Sequence, residues 1–230
     1  MSQLKNLCPA INTRYALAFL LIFVSSLIRA DECDQLPLPS VTLKRLDEPV
    51  SLDTTYSYKS ITVLGSTLHR PENRVLGLTR GTARVRFETK TAFIVDRTGR
   101  YECASPQLVV TYGFSPMTVY VAKEFPKGSC AYNEIYQHEL RHVKTHQDHL
   151  ISIEKELTDT LNRRFATGSP WRSTVGQTRL TLERELNERW IPYITREMER
   201  VESAQALIDT PEEYARVADA CNGEIKRIIR

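Results

Sequence analysis

Glycine and proline are scarce in this chain, 20 of 230 residues together, and there are only three methionines and two tryptophans. That composition excludes a collagen-like chain and a low-complexity disordered one. No internal repeat recurs, and no basic stripe is dense enough to leave the electrostatic footprint of nucleic-acid binding. Long apolar runs are missing as well. The longest, YALAFLLIFVSSLI at 15–28, falls short of the roughly 20 residues a bilayer span needs, which excludes a multi-pass membrane protein. With 41% apolar residues, a chain of this length can bury a core without metals or disulfides.

The apolar run at 15–28 follows Lys5 and Arg14 and precedes Arg29, with no acid among the first thirty residues. It fits the central segment of a secretory signal, with cleavage expected after Ala30. Ile28, three residues before that cut, is larger than the small residue preferred there, and an uncleaved N-terminal anchor is the alternative. Without the leader, 28 basic residues face 28 acidic ones, so the basic balance belongs to residues 1–30. The expected location is the periplasm or the medium, with the membrane met only transiently through the signal peptide. Cysteine usage agrees. Cys8 leaves with the leader, and Cys33, Cys103, Cys130 and Cys221 remain, an even number suited to an oxidising compartment. Three pairings are possible. The expected one is Cys103–Cys130 with Cys33–Cys221, tying the termini together; four buried free thiols are the alternative.

Beyond the leader the pattern changes once. Residues 31–127 read as β-rich. ITVLG (61–65), ARVRFET (83–89), TAFIVD (91–96), LVVTYGF (108–114) and MTVYVAKEF (117–125) are rich in Val, Ile, Thr and aromatics and are punctuated by Gly and Pro. Residues 128–230 read as helical. Ile135, Val143, Leu150, Leu157 and Leu161 recur at helical spacing over 131–166. A second helix is expected over 178–208 with a kink at Pro192, and a third from Thr210, which can cap it with Pro211 and Glu213 in a capping box. The expected fold is α+β, one compact domain over 31–230: a mainly antiparallel β-sheet followed by three long helices.

Four of the five histidines lie within twelve residues, and His138-Glu139-Leu140-Arg141-His142 forms H-E-x-x-H inside the first expected helix. Histidines four apart share one helix face, so both can reach one Zn²⁺ at about 2.0–2.1 Å. Glu139 stands next to them as general base for a zinc-bound water and then as proton donor to the leaving amine. The alternative is a solvated helix face whose histidines pair with acids.

A catalytic zinc takes three protein ligands, and the third is open here. His146 lies eight residues beyond His138, about 12 Å along a straight helix. Asp148 lies where longer H-E-x-x-H patterns place a ligand, but Thr145 stands in place of the Gly that turns the chain. Glu183, Glu185, Glu188, Glu212 and Glu213 come from later helices. Glu213, in the polar cluster Asp209–Tyr214, is favoured among them, although capping is its competing role.

The stretch from Cys130 to Val143, CAYNEIYQHELRHV, resembles the active-site helix of the predicted secreted zinc-dependent peptidases, a bacterial family. The resemblance covers roughly residues 56–221, with strands before the helix, a Cys just upstream of it and a late Asp-Thr segment ending at Cys221. It implies a zincin-like fold, zinc, and action on a peptide or protein substrate. The family pattern closes on Tyr-Asp-x-x-Thr-x-His-Gly, whereas this chain reads Ile208-Asp209-Thr210-Pro211-Glu212-Glu213-Tyr214 with no His.

Lesser expectations follow. Strand 117–125 could hold an extended substrate along its edge. Tyr132 and Tyr136 could offer a phenol to an oxyanion, or simply pack. Arg141, His149 and His69 are expected at the surface or in local pairs. The function expected is an exported zinc metallopeptidase. A non-catalytic envelope binding module with a structural or lost metal is the alternative, its long helices offering a partner surface. Neither the substrate nor the oligomeric state is legible.

Overall fold

The structure is a computed structural model that describes residues 31–65 and 74–229. The expected leader (1–30) and His69 lie outside the described residues. The spine of the fold is one long strand, β4 (Glu102–Val121), with β3 (Gly77–Val95) antiparallel along nearly its whole length. A strand has two edges, so the other edge of β4 takes the remaining partners in turn. These are β5 (Trp171–Ser173, antiparallel) beside 102–104, β1 (Ser40–Arg45, parallel) beside 107–112, and β2 (Ser51–Asp53, parallel) beside 118–120. The expected antiparallel pairing holds for the long hairpin, while the two lead-in strands make the sheet mixed.

The short strands read from sequence are pieces of β3 and β4. Ser115 and Pro116 had looked like a break between two strands. They sit where the pairing shifts from Ala83↔Phe114 to Gly81↔Met117, leaving them opposite Thr82 in a bulge. A bulge needs no ladder donor there, so a proline is tolerated inside the strand. Residues 117–121 pair with β2 on one side and β3 on the other, so the expected substrate-holding edge strand is central. ITVLG is also corrected. It belongs to helix α1 (Tyr58–Leu64), whose cap Ser57 accepts from Ser60 N at 3.1 Å. In a strand Ile61 and Val63 would share one face; here Ile61 is buried and Val63 exposed, as a helix capped at Ser57 places them.

Helix α2 (Cys130–Phe165) spans 36 residues, about 54 Å at 1.5 Å per residue, as its periodicity indicated. Ser129 caps it, accepting from Tyr132 N at 3.1 Å. It packs across β1, β3 and β4 and takes part in two separate apolar clusters. One gathers Ala131, Tyr132, Ile135 and Val143 with Val119, Val121 and Phe125. The other gathers Leu150, Leu157, Leu161 and Phe165 with Leu108, Val110 and Tyr112.

The expected 178–208 helix is segmented into α3 (Thr178–Glu185), a π turn (Leu186–Trp190), α4 (Ile191–Glu199) and the short α5 (Glu202–Gln205). The wide turn comes immediately before Pro192, whose ring would otherwise meet the carbonyl four residues back. Helix α6 (Pro211–Ile228) starts as read, with Thr210 accepting from Glu213 N at 3.1 Å. It is broken at 220–223, where Cys221, Asn222 and Gly223 have φ of 57°, 56° and 73°. No helix among the described residues is long and apolar enough to cross a membrane.

The four cysteines form Cys33–Cys103 and Cys130–Cys221, not the expected pairing. Cys103 lies near the start of β4, whereas Cys130 opens α2 beyond its far end. Eighteen residues of strand at about 3.3 Å each put those ends some 60 Å apart, far beyond a disulfide's reach. Cys33 reaches Cys103 because β1 runs parallel to β4 from Ser40↔Gln107 onward. Non-reducing peptide mapping should therefore recover 33–103 and 130–221 linkages. Cys33→Ala/Cys103→Ala should lower unfolding free energy by about 2–5 kcal/mol in urea titration.

Candidate metal centre

Within the stretch of α2 that carries the first apolar cluster, one turn between Ile135 and Val143 is polar and buried. His138, Glu139 and His142 are only 7%, 4% and 8% exposed. A solvated helix face would leave such residues in water, so the surface alternative for H-E-x-x-H does not describe this segment. One turn of helix brings the two imidazoles together, with ring centroids 4.9 Å apart. Asp209 meets them from the chain just before α6. Thr210 spends its side chain on capping, and Asp209, the residue before it, turns toward α2.

His138 Nε2, His142 Nε2 and Asp209 Oδ1 form a triangle with 3.2 Å on each side. Ligand atoms 2.0–2.1 Å from a tetrahedral zinc stand about 3.3–3.4 Å apart, so these three atoms match one face of that tetrahedron. Together His138, His142 and Asp209 form a candidate metal-binding group. The Nδ1 atoms look outward. His142 Nδ1 is 2.5 Å from Gln205 Oε1, an acceptor. His138 Nδ1 is 3.3 Å from Glu213 Oε1 and 2.8 Å from Arg141 Nη2, and that guanidinium also grips Glu213.

The electrostatics favour positive charge among these groups, as a proton or a metal. Burial pulls the His142 pKa down, but Asp209 and Glu139 outweigh it and hold the imidazole above its ordinary value. Burial pushes the Asp209 carboxyl up, yet its bonds to His138 and His142 hold it well below the carboxylate range. Burial pushes Glu139 up, against the pull of His142 and His138. These groups draw in positive charge, as a metal site does.

The third position is corrected accordingly. Glu213 and His146 both border the triangle without joining it. Glu213 is engaged by Arg216 and Arg141, which hold its carboxyl down at about 2. His146 packs its ring 4.4 Å from Phe114 and meets Gln205; burial lowers its pKa to about 4. The other acids point elsewhere. Asp148 pairs with Lys144, Glu183 with Arg179 and Glu185 with Arg164, while Glu188 and Glu212 are exposed. Asp209 belongs to the polar cluster that drew attention to Glu213, four residues earlier. A spacing rule could not select it, because the approach of α6 to α2 is tertiary.

Tyr132 and Tyr136 stack on each other at 5.7 Å, and Tyr132 is buried in the apolar cluster, so both pack. The phenol beside the site is Tyr214, 6.3 Å from His138 between ring centroids. Burial and a hydrogen bond to Asp209 raise its pKa. His149 is half-buried and donates Nε2–H to the Glu197 carbonyl at 2.8 Å, rather than standing free in solvent.

Strand β3 sets the position of Glu139. Thr79 Oγ1 donates to Glu139 Oε2 at 2.9 Å. A Cβ at Gly77 would stand 2.6 Å from Glu139 Oε1 and 2.7 Å from Ile135 Cγ2. Only glycine lets the strand come this close. Gly77→Ala should destabilise the fold by about 1–3 kcal/mol, read as a lower urea midpoint. An unchanged midpoint would contradict so close a contact.

The chain matches no family model, no curated protein and no solved structure.

Proposed function

We propose that this chain is an exported zinc-dependent hydrolase, a metallopeptidase of the secreted zinc-dependent type that its active-site helix resembles, acting on a peptide or protein substrate. One observation carries the reading: two imidazole nitrogens and a carboxylate oxygen converge at zinc spacing, with a buried carboxylate as their immediate neighbour. The leader at 15–28 and the two disulfides support export.

His138, His142 and Asp209 would hold the ion, leaving the fourth tetrahedral direction for chemistry. Bound there, zinc supplies a Lewis acid that polarises a carbonyl and lowers the pKa of a water toward about 7. Glu139 acts as general base, taking the proton from the attacking water, and then as general acid, delivering it to the leaving amine. The Thr79 hydroxyl donates to Oε2 of that carboxylate and helps to fix its orientation. The Tyr214 phenol, hydrogen-bonded to Asp209, would hold that carboxylate in place as a ligand.

Metal content tests this first. Full-length protein exported into an oxidising compartment should carry about one zinc per chain by mass spectrometry. His138→Ala/His142→Ala should carry none, and Asp209→Ala should bind more weakly. Glu139→Ala should keep its zinc and lose hydrolysis of any peptide the wild type cleaves. Folded wild type without stoichiometric metal would sink the reading and favour a binding module.

A further inference from the structure

The Gln205 side chain, at the end of α5, makes three contacts, two to one residue. Its Nε2 lies 3.1 Å from the His142 carbonyl oxygen and also against His146 Nδ1, and its Oε1 lies 2.5 Å from His142 Nδ1. With both imidazoles neutral, these contacts leave one self-consistent proton arrangement. A carbonyl oxygen can only accept, so the Gln205 atom facing it is the amide nitrogen. The amide oxygen therefore faces His142 Nδ1, and because it too can only accept, Nδ1 carries the hydrogen. The second amide hydrogen points at His146 Nδ1, which is therefore the bare nitrogen of its ring. His146 is held in turn by Phe114.

We infer that Gln205, itself oriented by His146, is a positioning residue that locks His142 in the tautomer with a bare Nε2 aimed at the metal position. The inference rests on the metal reading above and extends it to residues that touch no metal. In the other tautomer an N–H would point at the ion, and His142 could not ligate. Such outer partners of metal-bound histidines typically change affinity 10–100-fold when removed. The role also accounts for His146. Too far along the helix to ligate beside His138 and His142, it acts one hydrogen bond further out.

Two measurements on the full-length oxidised protein test the assignment. The first is zinc affinity, by competition with a chromophoric chelator. The second is a long-range ¹H–¹⁵N spectrum of the metal-free protein, well above the imidazole titration range, which reads the tautomer of each histidine directly. Gln205→Leu should bind zinc 10–100-fold more weakly and give a mixed His142 tautomer. Gln205→Glu, whose carboxylate still accepts from Nδ1 but no longer donates to the His142 carbonyl and His146, should keep the His142 tautomer and bind zinc more tightly than Gln205→Leu. A wild-type spectrum with the His142 proton on Nε2 overturns the inference. So does Gln205→Leu with unchanged affinity. Wild type that binds no zinc overturns the metal reading alone, and its His142 tautomer still decides the role of Gln205.

Discussion

Two imidazole nitrogens and a carboxylate oxygen held 3.2 Å apart inside a protein repel one another unless positive charge, a proton or a metal, lies among them. That arrangement does not assemble by burial alone, and much of the nearby structure holds it in place. Two of its members come from one turn of α2, where backbone geometry fixes their spacing. The third arrives from a distant part of the chain, and its approach is held at two points. Thr210 caps α6 directly after Asp209, setting the direction of entry. Cys130–Cys221 bolts the first residue of α2 to the break in α6. The ligand triangle and the disulfide thus cross-link the same two helices on either side of the first turns of α6.

The sheet provides the other half of the support. β4 spans both apolar clusters, and α2 lies over it with its polar turn set among the residues of the first. β3 then closes on that segment from the side. Gly77 and Thr79 are the contact, one by lacking a side chain and one by donating a hydrogen bond. Glu139 is therefore held by the sheet, while His138 and His142 are held by outer partners on α5 and α6. The acid–base group and the ligands have separate supports, so a change at Gln205 and a change at Thr79 should affect different properties of the site.

What the sequence made legible was local, and what it hid was tertiary. H-E-x-x-H and the helix beneath it share a short window, and the 3.6-residue period of Ile135, Val143, Leu150 and Leu157 runs straight through it. The Thr210 cap was readable for the same reason. Asp209 was not, because nothing in the chain states which of many carboxylates a second helix will carry to the first. The cysteine pairing failed on an equally physical point. Short β segments read from sequence as separate strands, which hides the length of β4 and therefore the distance between Cys103 and Cys130. The same error made 117–125 an edge, when parallel β2 covers the side that β3 leaves open.

Stability alone gives no reason for the polar segment of α2. An apolar residue in place of Glu139 would join the Ile135 cluster without desolvating a carboxylate, and burial already pushes that carboxyl's pKa up. Structural ion pairs also shift pKa values, but they bring oppositely charged partners together. Asp209 pairs with both histidines, but it also raises the Glu139 pKa, and the glycine at 77 makes room for that carboxylate rather than neutralising it. The fold spends stability on three polar groups in one buried turn of α2, brings a fourth to them from the chain before α6, and holds them with outer partners, an arrangement that packing alone does not explain.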